Sequence, residues 1–283
     1  MRIDLHTHST ASDGTDRPAG VVAAAARAGL DVVALTDHDT TAGWAEAATA
    51  AAEHGVTLVR GAEVSCSHRG TSIHLLSYLH DPAHPGLAAE MEKARESREH
   101  RAERMVERIA GDFPRLTWDV VQAGAAPGAT LGRPHIADAL VRLGYFPTRD
   151  AVFAEVLHDR SPYYVAHYAP DPVTAVTLVR EAGGVPVFAH PLASNRGRVV
   201  GDDVVEAMVE AGLGGLEVDH RDHDRDAREH LRSLARRWDL VVTGASDYHG
   251  AGKENRLGEN VTAPDELERL LDQAVGAAVV APG

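Results

Sequence analysis

The sequence of 283 residues predicts an α/β fold, a distorted (β/α)7 barrel with an inserted helical cap subdomain. Short strand-like runs alternate with Ala-rich amphipathic segments, which is typical of parallel α/β folds. One long segment in the middle of the chain breaks this alternation and predicts the insertion. The chain is longer than an ordinary domain and suits a single barrel that carries such an insertion.

Seven runs of the chain have the composition of β-strands. The predicted strands are Arg2–His6, Val32–Thr36, Thr57–Val64, Ser72–Leu79, Val185–Ala189, Gly215–Asp219 and Leu240–Ala245. The linker Cys66–Thr71 is too short for a helical crossover, so the third and fourth strands are expected to pair as a hairpin. Because seven strands are one fewer than in the familiar barrel, the sequence predicts a distorted one.

Amphipathic segments between these strands predict the helices of the barrel. They are Pro18–Ala28, Ala42–His54, Pro172–Ala182, Asp203–Ala211 and Asp224–Trp238. Pro18 suits a first helical turn. Gly29, Gly55 and Gly183 each follow a predicted helix where a C-cap glycine is expected.

The insertion is predicted to span residues 87–165, between the barrel segments 1–86 and 166–283. It begins with a long helix, Leu87–Ala110, whose six basic residues are balanced by six acidic ones. We therefore expect a solvated helix with i,i+4 ion pairs rather than a basic surface that grips RNA. The rest of the predicted cap consists of the loop Gly124–Gly132, the helix His135–Leu143 and an irregular stretch to Tyr164.

The charge balance restricts the class of partner. Acidic residues outnumber basic ones by 42 to 28, which gives a formal net charge of −14. Proteins that bind long nucleic acids usually have a basic face. The sequence therefore argues against duplex DNA and favours a small phosphorylated substrate, such as a nucleotide, or very short RNA.

No apolar run is long enough to cross a membrane, and the N-terminus lacks the basic and apolar regions of a leader. A cleaved leader would also remove His6, so we expect the chain to begin at its mature N-terminus. The single cysteine, Cys66, excludes an intramolecular disulfide and is compatible with a reducing compartment. These features predict a cytoplasmic protein, with a mild expectation of a monomer or dimer.

Nine side chains of the types that bind divalent metals lie at the ends of predicted strands or within the hairpin. They are His6, His8, Asp13, His38, Glu63, His74, His190, Asp247 and His249. A barrel gathers its strand ends on one face. Imidazole and carboxylate suit zinc, manganese and iron, and two or three such ions together hydrolyse phosphate esters or amides. Each residue alone also has a structural interpretation, but their conjunction predicts a metallohydrolase.

The order of the motifs around these residues resembles the PHP (polymerase and histidinol phosphatase) family. The motifs are Asp4-Leu5-His6-Thr7-His8-Ser9, Ser12-Asp13-Gly14, Thr36-Asp37-His38-Asp39, Gly61-Ala62-Glu63, Ala189-His190-Pro191 and Ser246-Asp247-Tyr248-His249. The inserted run Gly132-Arg133-Pro134-His135 is similar to that of the nucleotide-directed subgroup. That subgroup includes phosphatases of nucleoside 3′,5′-bisphosphates, AMP phosphatases and a short-RNA 5′→3′ exonuclease.

The resemblance implies three divalent metal ions, either manganese, zinc or iron. It implies that Glu63 bridges the first and second ions and that Asp37 orients a histidine without binding a metal. The implied ligands are His6, His8, Glu63 and Asp247 for the first ion, Glu63, His74 and His190 for the second, and Asp13, His38 and His249 for the third.

The expected mechanism follows from the chemistry of such centres. A water that bridges two ions loses its proton near neutral pH, and the hydroxide attacks phosphorus in line with the leaving oxygen. Arg133 is the candidate catalytic and substrate-binding cation, because its planar fork suits phosphate; the alternative is a surface arginine paired with Asp138 or a neighbour. His135 is a candidate to contact phosphate or protonate the leaving oxygen, or it simply opens its helix.

Weaker candidates lie near the last strands. His223 follows the run Gly215–Asp219 and is a candidate substrate contact, with a plain surface loop as the alternative. Arg196 and Arg198 are placed to touch a second phosphate. The chain has Leu192-Ala193 where related proteins often have Gly-Arg after His-Pro, and this departure leaves the local phosphate contact open.

The sequence therefore predicts a metal-dependent phosphatase that hydrolyses phosphate monoesters of nucleotides. The substrates favoured are nucleoside 3′,5′-bisphosphates and 5′-monophosphates, and the alternative is 5′→3′ exonuclease action on short RNA. Amidohydrolase chemistry is disfavoured because neither Lys93 nor Lys253 is placed to serve as a carboxylated bridging ligand. A non-catalytic metal-binding module is disfavoured because the set of nine ligands is intact.

Overall fold

The computed structural model describes residues 1–158 and 160–283. In this part of the chain seven strands form one sheet, in which the spatial order of the strands is their order in the sequence. The strands are β1 (Ile3–Asp4), β2 (Val32–Leu35), β3 (Thr57–His68), β4 (Thr71–Tyr78), β5 (Val185–Phe188), β6 (Gly215–Asp219) and β7 (Val241–Gly244). Each predicted strand is present, most with slightly different ends.

The sheet is parallel except at β4, which runs antiparallel to both β3 and β5. The predicted hairpin is therefore confirmed, and Ser65 lies opposite His74 in its register. Just beyond β1 and β7, Thr7 and Tyr248 form a parallel bridge, and His8 N–H donates to the Tyr248 carbonyl at 2.8 Å. This bridge nearly closes the sheet into the expected seven-stranded barrel.

The described residues form ten α-helices. They are α1 (Pro18–Arg27), α2 (Trp44–His54), α3 (Pro85–Ile109), α4 (Trp118–Gln122), α5 (Arg133–Arg142), α6 (Arg149–Glu155), α7 (Pro172–Glu181), α8 (Asp202–Glu210), α9 (Arg225–Trp238) and α10 (Pro264–Gln273). Three of them, α4, α6 and α10, were not predicted. The first two are too short to show a helical period, but Thr117 and Thr148 cap them by accepting bonds from backbone N–H groups. No helix among the described residues is long and apolar enough to cross a membrane.

The barrel and the insertion have separate hydrophobic clusters. Within the insertion, the second half of α3 packs with α5 and α6 through side chains such as Met105, Ile136 and Val152. The first half of α3 instead contributes Leu87 and Met91 to the cluster between the sheet and α7 to α9. The helical cap is thus confirmed, and α3 belongs to both units. The division at residues 87 and 165 remains a prediction.

The prediction of a solvated α3 is wrong for two of its arginines. Arg98 and Arg101 are only 7% and 5% exposed. The Arg98 guanidinium binds the Ser65 hydroxyl and lies 3.5 Å from the Asp39 carboxylate, and Arg101 Nη1 lies 3.2 Å from His167 Nδ1. These contacts join the cap to β3 and to the loop after β2, so the tertiary fold removes these charges from solvent.

Candidate metal centre

The barrel brings all nine predicted ligands together at one end. His6 and His8 follow β1, His190 follows β5, and Asp247 and His249 follow β7. Asp13 and His38 lie in the loops after β1 and β2, while Glu63 and His74 lie on β3 and β4. Each of the nine belongs to a group of ligand atoms that lie within 4.8 Å of one another. Most are buried, but His74 and His190 are half-buried and form the more open side.

The first group consists of His6, His8, Glu63 and Asp247. His6 Nε2 lies 3.0 Å from His8 Nε2, 3.3 Å from Glu63 Oε2 and 3.6 Å from Asp247 Oδ1. His8 Nε2 lies 3.1 Å and 3.4 Å from the same two oxygens. Ligands bonded at about 2.1 Å to one tetrahedral ion are separated by about 3.4 Å. The spacing of this group is therefore that of ligands around one ion.

Glu63 faces a second group with its other oxygen. Glu63 Oε1 lies 2.8 Å from His74 Nδ1 and 3.1 Å from His190 Nε2. Its Oε2 remains directed at His6 and His8. A single carboxylate that presents one oxygen to each of two histidine pairs has the arrangement of a bridging ligand.

The third group surrounds Asp13. His249 Nε2 lies 3.3 Å from Asp13 Oδ1, and His38 Nε2 lies 3.7 Å from Asp13 Oδ2. The Nδ1 atom of His38 faces Glu63 Oε2 at 3.2 Å, which makes this group continuous with the first.

The tautomers of these histidines fit bound cations. His6 Nδ1 donates to Glu217 and His249 Nδ1 donates to the Asp247 carbonyl, so in each neutral ring Nε2 presents a lone pair. Each lone pair faces a carboxylate oxygen, and two acceptors repel unless a cation lies between them. In addition, the buried Nδ1 atoms of His38 and His74 lie 3.2 Å and 2.8 Å from Glu63 oxygens without the orientation of a hydrogen bond. The residues present therefore fit divalent metal ions.

The pKa values show the strong negative potential of the cluster. Burial opposes charge on His8, but hydrogen bonds with Asp247 and Glu63 outweigh it and raise its pKa to about 9. Burial likewise opposes ionisation of Glu63, yet the imidazoles of His74 and His38 lower its pKa well below the usual range. Three carboxylates crowded among imidazoles favour positive charge, which divalent cations would supply.

Asp37 holds the loop that carries Asp13. Its carboxylate accepts from Ser9 N at 2.8 Å and from Ser12 Oγ at 2.6 Å. Ser12 Oγ in turn lies 3.4 Å from His8 Nδ1. Asp37 therefore reaches a histidine only through Ser12.

Of the two cap candidates, Arg133 is half-buried, and its Nη1 donates to the Leu157 carbonyl at 3.0 Å. The carboxylate of Asp138, its alternative partner from the sequence, is bound by Arg149. His135 Nδ1 accepts from Gly132 N–H at 3.2 Å, and burial lowers the pKa of the ring. This contact caps α5, as the structural interpretation of His135 expects, while catalytic roles for both residues remain predictions.

The structure does not bring His223 into the metal cluster. His223 is 3% exposed, its Nδ1 donates to the Val218 carbonyl at 2.9 Å, and its Nε2 accepts from Leu192 N–H at 3.2 Å. Since both ring nitrogens are engaged, a substrate contact would require one of these bonds to break. The predicted substrate contact of His223 therefore has no support in the geometry.

Two cations approach the outer oxygen of Asp247. Arg196 Nη2 lies 2.7 Å and Lys253 Nζ 3.0 Å from Asp247 Oδ2. Lys253 is thus closer to the centre than the sequence suggested, but Glu63 holds the bridging position. Arg198 instead donates to the Gly70 carbonyl in the hairpin turn.

Sequence reasoning missed three residues of this site: Glu217, His220 and Lys253. Glu217 is wholly buried, His220 Nε2 lies 3.7 Å from Asp247 Oδ2, and Lys253 Nζ contacts the same oxygen. The available signal for Glu217 was a carboxylate within an otherwise apolar strand. His220 lies in a charged run that resembles a surface loop, so its burial had no clear signal.

Comparison with known proteins agrees with this geometry. The PHP domain model matches residues 4–113. The chain is 35% identical to a 3′,5′-nucleoside bisphosphate phosphatase of Chromobacterium violaceum, over 90% of this chain and 89% of the relative. It is 33% identical to a 5′-3′ exoribonuclease of Haemophilus influenzae, over 94% of this chain and 96% of the relative.

A solved structure from Bifidobacterium adolescentis, of a protein proposed to be a metal-dependent phosphoesterase, superposes with a TM-score of 0.93. It is 42% identical, and the match covers 96% of each chain. These similarities extend over the barrel and the cap together. They confirm what the order of the motifs predicts: the chain belongs to the PHP family of metal-dependent phosphoesterases.

Proposed function

We propose that this protein is a phosphatase that removes a phosphate monoester from a nucleotide, either a nucleoside 3′,5′-bisphosphate or a nucleoside 5′-monophosphate. The observation that carries the proposal is the position of Glu63, whose two oxygens face two histidine pairs in a cluster continuous with a third group. We infer three divalent ions, manganese, zinc or iron, held by the nine ligands as the family resemblance implies.

The charge of the loaded centre suits a phosphate dianion. The three ligand carboxylates Asp13, Glu63 and Asp247 offset half of the charge of three divalent ions, and the six histidines add none when neutral. When bound, such ions supply Lewis-acid charge to the phosphoryl oxygens and activate water as a nucleophile. The half-buried side at His74 and His190 is the proposed entry for the phosphate.

The cap supplies the remaining parts of the proposed site. Arg133 is the proposed cation for the nonbridging phosphate oxygens, because a guanidinium binds two oxygens at once. Burial lowers the pKa of His135, so we expect its ring to be neutral at pH 7. A neutral ring would orient the phosphate by a hydrogen bond rather than act as the acid for the leaving oxygen. The cap itself excludes water from the reacting phosphate, which strengthens every charge interaction in the site.

A second candidate is 5′→3′ exonuclease action on short RNA. The 33% identity to the exoribonuclease extends over nearly the whole chain, so it favours this activity almost as much as the 35% identity favours the phosphatase. A mononucleotide resembles the end of an oligomer, and both reactions place a phosphate at the same ions. The net charge of −14 limits this alternative to short RNA. A cytoplasmic location, a monomeric or dimeric state and the exclusion of duplex DNA remain predictions.

The test is phosphate release by protein with measured metal content and added manganese. The substrates are AMP, adenosine 3′,5′-bisphosphate, histidinol phosphate and a 5′-phosphorylated RNA dinucleotide, with Asp13→Ala as the inactive control. We expect turnover of one or both mononucleotides to exceed that of histidinol phosphate by at least ~10-fold. Faster conversion of the dinucleotide to mononucleotides, followed by chromatography, would establish the exonuclease instead. Formation of neither phosphate nor mononucleotide from any of the four would overturn both proposals.

A further inference from the structure

Glu217 is a wholly buried carboxylate whose two oxygens bind two different predicted metal ligands. Its Oε1 accepts from His6 Nδ1 at 2.9 Å, and its Oε2 accepts from the backbone N–H of His190 at 2.8 Å. His6 faces Glu63 Oε2 and His190 faces Glu63 Oε1, so the two histidines lie on different oxygens of the proposed bridging carboxylate. Glu217 therefore connects the same two groups that Glu63 connects, but from behind the ligands.

The bond to His6 determines which ring nitrogen can bind a metal. An ionised carboxylate only accepts hydrogen bonds, so His6 Nδ1 must carry the proton. The Nε2 lone pair is then directed at the group formed with His8 and Glu63. A carboxylate behind a histidine in this way orients the ring and raises its basicity as a ligand.

The bond to His190 holds an unusual backbone conformation. His190 has φ of 32°, in the left-handed region that a non-glycine residue rarely adopts. This conformation directs its ring so that Nε2 lies 3.1 Å from Glu63 Oε1. Glu217 accepts the N–H of this residue and so stabilises the turn that presents the ring.

The strand geometry explains how one side chain reaches both ligands. In β6, the pairing with β7 shifts register between Glu217 and Asp219, and such an irregularity re-aims side chains. Leu216 pairs with Phe188 of β5, so Glu217 lies beside the chain that leads into His190.

We propose that Glu217 is a positioning residue that prepares the ligands of the first and second ions together and does not act on the third. The proposal rests on the metal centre inferred above. Of the third group, Asp13 and His38 have no contact with Glu217 among the described interactions, and His249 is oriented by the Asp247 carbonyl instead. Loss of Glu217 should therefore weaken the binding of two ions and leave that of the third unchanged.

The experiment measures metal stoichiometry and affinity, without substrate, in Glu217→Leu and Glu217→Gln. The leucine variant removes both acceptors, so we expect the affinity for two of three ions to fall about 10- to 100-fold, with one ion retained. The glutamine variant keeps one acceptor for His6 and none for His190 N–H. It should therefore weaken one ion about 10-fold and leave the other two unchanged.

The controls separate positioning from a merely structural role. Glu266→Gln removes a carboxylate that binds Val242 N–H and Arg269 outside the metal groups, and it should leave all three affinities unchanged. Asp13→Ala should lose the third ion instead of the first two.

Wild-type affinity for all ions in either Glu217 variant would overturn the proposal, as would equal weakening of all three. A lower melting temperature of metal-free Glu217→Gln with unchanged metal affinity would assign Glu217 a structural role only and would also overturn it. Because no substrate is used, these outcomes are independent of the phosphatase proposal, which the substrate panel tests separately.

Discussion

The mouth of the barrel and the cap that covers it are built in different ways. At the mouth, seven of the nine ligands are buried, and Glu217 and the Asp247 carbonyl fix the tautomers of His6 and His249. The cap has its own hydrophobic cluster, and it contacts the barrel near the third ligand group through a few polar bonds. Thr130 N–H donates to the Ala11 carbonyl, Thr130 Oγ1 to the His38 carbonyl, and Arg149 to the Asp13 carbonyl.

From this difference we expect the barrel to provide the metal chemistry and the cap to provide substrate recognition. Ligands that sit in strands and strand ends are held to a fraction of an ångström, which metal chemistry requires. Because only a few polar bonds join the cap to the ligand end of the barrel, the side chains that line the cap can change without moving the metal ligands. The two relatives that are 35% and 33% identical to this chain are named as a phosphatase and as an exoribonuclease. A difference in activity between such similar proteins is consistent with a conserved barrel and a variable cap. Three variants test whether chemistry and recognition are really separated in this way.

The largest expected effect is that of Glu63→Gln in the barrel. An amide offers one oxygen in place of two, so it cannot serve both histidine pairs. We expect the loss of at least one metal equivalent and a fall in kcat of about 1,000-fold or more. Metal analysis and kcat at saturating manganese measure both. The matched control is Glu46→Gln, which changes a half-buried carboxylate that binds Arg17 away from the metal groups. Full metal content with wild-type turnover in Glu63→Gln would refute the bridging role.

An intermediate effect is expected for Arg133→Ala in the cap. Removing one donor to the charge that develops on a phosphoryl group should lower kcat/KM about 100-fold, while metal content stays at the wild-type value. Arg133→Lys should recover only part, because an ammonium cannot form the bidentate contact. Arg142→Ala is the control, since Arg142 lies on the same helix and binds the Val120 carbonyl within the cap. Unaltered kinetics in Arg133→Ala would remove this residue from the site.

The smallest effect is expected where the two regions meet. Arg149 binds Asp138 within the cap and donates to the Asp13 and Gly252 carbonyls of the barrel. Arg149→Met should loosen the cap and raise KM about 5-fold, equivalent to about 1 kcal/mol, with kcat nearly unchanged. Arg115→Met, which removes contacts to Tyr145 and Leu143 inside the cap, is the control. A fall in kcat and metal content in Arg149→Met would mean that the two regions are not separable.

The sequence predicted the barrel and the grouping of the ligands well, for a physical reason. Strand ends must meet in a parallel barrel, so ligand-type residues after successive strands converge wherever the details of the loops lie. The pairs His6 and His8, and Asp247 and His249, are also two residues apart, which places both members on one side of an extended chain.

The sequence did not predict burial that depends on tertiary contacts. The charges of α3 have the spacing of a solvated helix, and only the approach of Asp39 and Ser65 shows why Arg98 is buried. Glu217 was missed because an isolated carboxylate in a strand gives no period or motif. His223 was singled out for its position after β6, but its ring is used to join two loops. Substrate contacts in the cap share this dependence on packing.

The reversed direction of β4 has a mechanical consequence. Because β4 runs antiparallel to its neighbours, the chain leaves this strand at the end of the barrel opposite the ligands. It must then return along the length of the barrel before the inserted segment can reach the ligand end. The 25 residues of α3 span about 37 Å. Leu87 and Met91, near its start, pack into the barrel cluster, and Met105, near its end, packs into the cap cluster. The cap is therefore carried by a helix whose first turns pack against the barrel. Substitutions at Leu87 or Met91 would change the tilt of α3 and so the position of the cap. Such substitutions could alter which substrates fit while every ligand stays in place.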